Sequence, residues 1–333
     1  MSGGPGNDTV AAVLTAAIEH ELSGLRSSDL RSPASALSAR YRSGDVADAP
    51  RLATREAQAY LATRLPATFA ATRRVLAELV SLRPGWAPES ILDLGAGPGT
   101  ATWAAATLFP SIERAVLVER EPEMAALGAR LAEGGLTELL GEAVWAIGDA
   151  TDVSVREGDL VVAGYVLGEL GHDRERAALG KWWRATLGEL VLIEPGTPAG
   201  FERLRAARDV LIAWGAHVTA PCPNDEACPM EGADWCHFAV RLPRSTLHRD
   251  AKGAVLGYED EKYSYLAVSR HPPERPFARL VRSPRPRSGH VRVWLCETGG
   301  MHERVFSRRD GELYRRARAT RWGDRLDLTA ESS

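Results

Sequence analysis

Residues 90–100 run Ser90-Ile91-Leu92-Asp93-Leu94-Gly95-Ala96-Gly97-Pro98-Gly99-Thr100. The first five form an apolar stretch of strand length interrupted by one acid, as in a strand buried on both faces. Three glycines at alternate positions end it abruptly, and Thr100 opens a helical run through Trp103. Glycine permits the tight turning and close backbone approach that a strand-to-helix turn around a ligand demands. Such a turn leaves backbone N–H groups and a helix N-terminus facing whatever binds there. The spacing is G-x-G-x-G, with an acid two residues before the first glycine, and departs from the G-x-G-x-x-G of dinucleotide-binding folds.

Downstream the chain keeps alternating. Residues 115–119, 144–148, 160–164 and 189–194 are further short apolar runs, separated by stretches of helix-crossover length. That alternation predicts an α/β fold around a parallel sheet. Glu119 ends the second run, 20 residues after Gly99, where a carboxylate can accept both hydroxyls of a ribose. Asp149 follows the third run. The glycine turn resembles motif I of class I methyltransferases, which implies S-adenosylmethionine as the ligand. In that resemblance Asp93 orients the methionine end, Gly95, Gly97 and Gly99 shape the turn, Glu119 holds the ribose and Asp149 faces the adenine amino group. The fourth run leads into Ala163-Gly164-Tyr165-Val166-Leu167-Gly168-Glu169, with none of the Asn- or Asp-Pro-Pro-aromatic motif of amino-methylating enzymes. Tyr165 and Glu169 are candidate pocket residues, although packing and helix capping explain them equally well. Glu194-Pro195-Gly196 lies at the same edge, and no catalytic residue is assigned.

Upstream, residues 10–25 have a helical pattern, residues 43–50 are looser, and apolar positions from Tyr60 to Val80 recur at helical spacing around Pro66. Pro66 suits the first turn of a new helix. Residues 1–85 therefore read as a helical N-terminal cap, ended by Arg83-Pro84-Gly85. Residues 86–215 read as the Rossmann-like domain, closed by a helix from an N-cap at Thr197 to Ala213 and a stop at Gly215. Residues 216–333 hold strand candidates at 263–269 and 291–295, a Pro/Arg-rich loop or hairpin between them, and a short basic helix at 312–321.

All four cysteines lie in that last part: Cys222, Cys228, Cys236 and Cys296, spaced C-x5-C-x7-C with the fourth 60 positions later. Disulfides are a poor explanation in a reducing compartment. Four thiolates complete either a tetrahedral zinc site or an iron–sulfur cubane. Zinc knuckles favour shorter C-x2-4-C gaps, and loosely spaced Cys-Pro steps suit a larger cluster, so iron–sulfur leads and zinc is the alternative. Unligated buried cysteines are the plain reading. His237, beside Cys236, is a rival ligand, but with four cysteines available it is read as supporting the ligands or packing beside them.

Charge is divided unevenly. Residues 240–325 carry 20 basic and 10 acidic side chains, a net +10, which leaves −13 on the rest of a chain whose overall charge is −3. An acidic body with a basic C-terminal region points to one part of the molecule meeting a polyanion, with a solvated basic surface as the plain alternative. Arg270, Arg275, Arg279, Arg282, Arg285 and Arg287 surround the predicted hairpin. Arg308, Arg309, Arg315, Arg316, Arg318 and Arg321 surround the last helix. Trp294 and Trp322 could stack on unpaired bases, with core packing as the simpler role. A metabolite enzyme has no need of such a segment.

The segments APCPNDEACP and DWCHF, the Arg244-Ser245 and His248-Arg249 pairs, EDEKYSYLAV and ARATRWGD together resemble one family. It is the methyltransferase-like small-ribosomal-subunit proteins of bacteria and mitochondria, and the resemblance runs from the Tyr60–Phe69 region almost to the C-terminus. It implies a class I methyltransferase fold with a Cys-ligated, basic C-terminal module, a 4Fe–4S site and a role in assembling the small ribosomal subunit. Cys222, Cys228, Cys236 and Cys296 match the family's cysteines one for one, and Asp93, Gly95, Gly97 and Gly99 match its nucleotide motif. The expected function is an S-adenosylmethionine-binding, iron–sulfur factor acting on small-subunit rRNA during assembly. The alternatives are an active rRNA methyltransferase and a small-molecule methyltransferase with structural zinc. The N-terminal residues lack a signal-peptide pattern and no apolar run reaches membrane length. A soluble, cytoplasmic monomer is expected.

Overall fold

The computed structural model describes residues 5–43, 51–133, 143–151 and 156–328. Five parallel strands form its centre: β1 (Ser90–Leu94), β2 (Arg114–Glu119), β3 (Val144–Ile147), β4 (Gly158–Gly164) and β5 (Thr186–Pro195). With β6 (His217–Ala220) and the long β8 (Tyr258–Ser269) the order is β3-β2-β1-β4-β5-β8-β6, and β8 runs antiparallel to β5 and β6. A further strand, β7 (Phe238–Pro243), pairs with the N-terminal half of β8. The reversal of strand order at β1 and β4, with an antiparallel strand inserted next to the end, is the topology of class I S-adenosylmethionine-binding folds. It opens a crevice at the carboxyl ends of β1 and β4.

Period-2 alternation sorts the side chains of β1, β4 and β5 onto two buried faces. Leu92, Val161 and Leu190 pack with Trp182 of α7 (His172–Ala185) and with Leu204 and Leu211 of α8 (Pro198–Ala213). Ile91, Leu160, Val162 and Val191 pack with Val75, Leu76 and Leu79 of α4 (Leu65–Leu82) and with α5 (Thr100–Ala106). The run of apolar residues in each strand is explained by this burial on both sides.

The N-terminal helices are α1 (Pro5–Glu21), α2 (Ser27–Ser43), α3 (Thr54–Thr63) and α4. Pro66 sits in the first turn of α4, where its missing N–H costs nothing. Residues 44–50, most of the segment read as loose, lie outside the described residues. Leu14, Leu22, Leu30 and Leu37 pack with Trp103 and with Met124, Leu127 and Leu131 of α6 (Pro122–Glu133), so the cap sits against the side of the sheet that carries β1 and β2.

The C-terminal part holds more structure than its sequence predicts. Strands β6 and β7, and α9 (Thr246–Lys252), were not anticipated, and β8 begins at Tyr258 rather than at 263. Its first five residues, Tyr258-Glu259-Asp260-Glu261-Lys262, carry little apolar signal and are strand because β7 pairs with them. The stretch read as a Pro/Arg-rich loop or hairpin contains β9 (Phe277–Leu280) and β10 (Arg285–Arg287), the latter hairpinned to β11 (His290–Glu297). These join β12 (Gly300–Ser307) and β13 (Arg325–Asp327) in a five-stranded antiparallel sheet. Ala278, Leu280, Val291, Val293, Leu295, Phe306 and Leu326, with Ala317 of α10 (Gly311–Ala319), give it a core of its own. Among the described residues no helix is long and apolar enough to cross a membrane.

Candidate functional site

A cavity of about 460 Å³ opens at the carboxyl ends of the parallel strands, a size suited to a small-molecule cofactor. The three glycines of the turn after β1 are required for different reasons. Gly95 has φ +65°, and a Cβ there would lie 2.2 Å from Val166 Cγ2, so it admits the loop after β4. Gly97 has φ +56°, and a Cβ there would meet only the Tyr60 hydroxyl, at 3.9 Å, in the open space of the cavity. Gly99 has φ +85° and serves as the N-cap of α5.

Asp93, expected to orient the methionine end directly or through water, lies behind the turn. It is 2% exposed and does not line the cavity. One carboxylate oxygen accepts hydrogen bonds from Thr102 N and Thr102 Oγ1, both at 3.0 Å. Asp93 thus ties the first turn of α5 to β1 and fixes the glycine turn from behind. Burial, opposed by those hydrogen bonds, pushes its carboxyl up to about 7.

Glu119 does line the cavity. It accepts from Gly97 N at 2.7 Å and from Glu121 N at 2.8 Å, and burial raises its pKa above the ordinary range. Asp149 lies on the lining too, accepting from Thr151 N and Oγ1 and paired with Arg174 at 3.5 Å. Its partial burial is outweighed by those hydrogen bonds and that guanidinium, so its pKa falls. Glu169 and Glu194 enter the same cavity, pushed up to about 8 and about 7 by burial, with Glu119 adding repulsion at Glu169. Tyr165 is held at φ +63°, unusual for a residue with a side chain, while its N–H donates to Ile193 O at 2.7 Å. Its hydroxyl donates to Glu261 at 3.4 Å.

The sequence reading missed the contribution of the N-terminal helices. Arg40, Leu52, Tyr60, Arg64 and Thr68 all line the cavity. Leu52 N donates to Glu121 at 3.0 Å, which links that segment through Glu121 to Glu119. No local motif marks these residues, because the fold alone brings them to the strand ends. The fit to S-adenosylmethionine rests on volume, on the open space before Gly97, and on a carboxylate beside the turn.

A second, smaller cavity, of about 50 Å³, is lined by all four cysteines together with Phe201, Leu204, Met230 and Val281. Cys222 follows β6, Cys228 lies in the loop beyond it, Cys236 precedes β7, and Cys296 is in β11 opposite Arg279. All four are half-buried and free of disulfides. Burial and mutual repulsion raise the pKa of Cys236 and push Cys296 up to about 12. Two buried arginines face the thiols: Arg208, 4% exposed, and Arg279, 3% exposed. Arg208 Nε is buried with no hydrogen-bond partner. Among the described residues no three His, Cys, Asp or Glu side chains form a ligand set for a single metal ion. His237 is outside this lining and stacks between Trp235 and Trp322, at 5.1 and 4.7 Å between ring centroids.

Several arginines expected to face a polyanion are committed within the molecule. Arg270 donates to the carbonyls of Thr186 and Trp183, and Arg275 pairs with Asp225 at 2.6 Å. Arg279 donates to Pro221 O, Gly323 O and Glu78, and Arg282 pairs with Asp234. Arg315 and Arg316 pair with Glu312 and Asp327. Trp322 donates its indole N–H to His237 O at 2.8 Å, and Trp294 lies beneath Arg285.

Comparison with known proteins agrees with this architecture. The human mitochondrial ribosome assembly protein METTL17 is 31% identical over 294 residues, covering 82% of this chain and 63% of its own. The mitochondrial Rsm22-cox11 tandem protein 2 of Schizosaccharomyces pombe is 24% identical, covering 81% of this chain and 43% of its own. The chain therefore corresponds to roughly half to two-thirds of these curated relatives. Among solved structures, magnesium protoporphyrin IX methyltransferase from Synechocystis PCC 6803 aligns over 75% of this chain and 99% of its own, with 12% identity and a TM-score of 0.42. The fold assignment rests on strand order and not on that alignment. The matching relatives are mitochondrial, which overturns the cytoplasmic placement expected above. A signal-peptide pattern reports on secretion, whereas mitochondrial targeting uses amphipathic, Arg-rich segments that such a test does not read. A family model described as mitochondrial small ribosomal subunit Rsm22 matches residues 54–327, from α3 to the last strand. The chain belongs to the Rsm22 family of the mitochondrial small ribosomal subunit.

Proposed function

We propose that this protein is an assembly factor that binds S-adenosylmethionine in the larger cavity and small-subunit rRNA through its C-terminal sheet. The observation that carries the reading is the cavity at the strand ends, with Glu119 bonded to Gly97 N, in a chain matching the family over 54–327. In this reading residues 1–85 cap the cofactor domain of 86–215, and residues 216–333 carry the cysteines and the RNA-facing sheet. Glu119 receives the ribose, Asp149 the adenine edge, Gly95, Gly97 and Gly99 shape the turn, and Asp93 positions that turn through Thr102.

We assign the cysteine cavity to a 4Fe–4S cluster. A cubane spreads its ligands over four irons, so the thiols surround a volume instead of converging on a point as zinc requires. Four cysteines around one cavity and two buried guanidiniums facing the thiols support this reading. The group would order the loop between β6 and β7 against β11.

Methyl transfer to rRNA is the second reading, favoured by Tyr165 at φ +63° on the cavity wall, since strained backbone gathers at reacting sites. The deciding experiment uses protein purified without air. Calorimetry with S-adenosylmethionine should give micromolar binding lost in Gly97→Leu, and analysis should give about four irons per chain. A colourless protein holding one zinc, or equal cofactor affinity in Gly97→Leu, would refute the corresponding assignment. Labelled methyl transfer to immature subunits, abolished by Gly97→Leu, would promote the second reading.

A further inference from the structure

The arginines of the basic segment fall into two sets once their partners are known. One set is spent on internal ion pairs: Arg275 with Asp225, Arg282 with Asp234, Arg292 with Glu303 and Arg304 with Glu297. A second set is Arg285, Arg287, Arg308, Arg309 and Arg318, all exposed and none in an ion pair among the described residues, a description that also fits Arg321 beyond α10.

Strand pairing gathers the second set at one end of the five-stranded sheet. Arg287 of β10 lies opposite His290 of β11, and His290 lies opposite Ser307, the last residue of β12. Arg308 follows at once, and its N–H donates to Gly289 O at 3.0 Å. Arg318 reaches back from α10, donating to Arg287 O at 3.3 Å and to the Tyr314 hydroxyl at 3.0 Å. Arg285, two residues along β10, lies over Trp294 at 4.9 Å. The carboxylates nearby are occupied: Asp310 accepts from Ser307 N and Oγ, and Glu312 pairs with Arg315.

We infer that this end of the five-stranded sheet, presenting Arg285, Arg287, Arg308, Arg309 and Arg318, is the surface that contacts RNA phosphates. The inference rests on the rRNA reading above and adds where on the molecule the contact is made. Charge complementarity selects the partner. Five planar guanidiniums without carboxylate partners repel one another unless an anion covers them, and their fork of donors matches a phosphate. The arginines in the first set cannot serve without breaking an existing pair, so sequence charge alone overstates the footprint.

Salt dependence tests this directly. Each phosphate contact adds roughly 0.7 to 0.9 to the slope of log affinity against log salt. Binding of the full chain to a transcript of small-subunit rRNA should have a slope of about −3 to −5, from about five contacts. Arg287→Ala/Arg308→Ala/Arg309→Ala should weaken binding at least tenfold and flatten the slope by about 2, roughly three contacts' worth. The control Arg292→Ala/Arg304→Ala removes as much exposed positive charge per site from the same sheet and should leave the slope within about 0.5 of wild type. Arg309→Glu, a single exposed change, serves as the check should the triple variant fold poorly, and should weaken binding several-fold. A steep wild-type slope left unchanged by both the triple variant and Arg309→Glu would overturn the surface while leaving the rRNA reading intact. A wild-type slope near zero would overturn both, and would leave the patch to an acidic protein or a lipid.

Discussion

The two cavities share walls and differ in nearly everything else. Helix α8 lends Thr197, Ala199 and Arg203 to the larger and Phe201, Leu204, Arg205 and Arg208 to the smaller. Strand β8 divides likewise, with Glu261 in one and Ser264, Tyr265 and Leu266 in the other. The larger is crowded with carboxylates and guanidiniums, several held at unusual protonation by burial. The smaller is mostly apolar apart from its thiols and arginines, with Asn224, Glu226, Ser264 and Tyr265 as its other polar residues. The first assembles at successive strand ends of the parallel sheet and is closed by residues of the N-terminal region, α8 and β8. The second needs Cys296 from the five-stranded sheet, so it exists only when that sheet is docked.

Arg279 should give the largest effect, because it spans that docking. It joins β9 to Pro221 O, Gly323 O and the Glu78 carboxylate, and Arg279→Met leaves all three without it. We expect a loss of about 3 kcal/mol in urea unfolding, as for a broken buried ion pair. A loss below about 1 kcal/mol would mean the cysteine cavity does not depend on this tie.

The glycine turn gives the next contrast. Gly95→Ala places a Cβ 2.2 Å from Val166 Cγ2 at positive φ, and should cost about 2–3 kcal/mol of stability. Gly97→Ala meets open space and should cost about 1–2 kcal/mol from its backbone alone. Its cofactor affinity should fall further than that of any variant of equal stability. Equal stability losses for the two would place Gly97 in packing and not at the cofactor.

Glu169 supplies a pH signature for the larger cavity. Its carboxyl titrates near 8, raised by burial and then by Glu119, above its ordinary 4.5. Between those values the folded chain holds a proton that the unfolded chain releases, so stability should fall as pH rises from about 4.5 to 8. Affinity for a sulfonium cofactor should move the opposite way, rising by at most tenfold per pH unit towards pH 8. Glu169→Gln should flatten both curves, and an unchanged profile would assign the trend to Glu194 or Asp93. Thr197→Ala, which removes the cap accepted from Gly200 N, should cost only about 1 kcal/mol.

The legible parts of the sequence were those where one residue's neighbours decide its environment. The glycine turn, Glu119, Asp149, the Pro66 break and the Thr197 cap all follow from local spacing, and all lie where that spacing put them. Asp93 was placed in the right strand, but its contact with Thr102 in the first turn of α5 was not legible from spacing. Tyr60 and Arg64 were invisible as cavity residues because they arrive from a helix packed across the strand ends. The arginines were counted correctly and assigned too generously, since a charge count cannot tell a guanidinium bound to Asp225 from one facing water. Strand β7 was missed for a related reason: it is made by its partner's pairing more than by its own apolar residues.

Strand β8 pairs with β5 along one edge over residues 263–269, and with β7 and then β6 along the other. Strands thus flank it on both sides at Tyr263 and again from Ala267 to Ser269, on either side of the point where the two cavities meet. Opening either cavity fully requires unzipping the same strand, so both belong to one cooperative unit in native-state hydrogen exchange. The amides of Ala267 and Val268 should exchange only through global unfolding. Those of β12, which pairs with β11 alone and has an exposed outer edge, should exchange through smaller openings that leave the sheet of β8 intact.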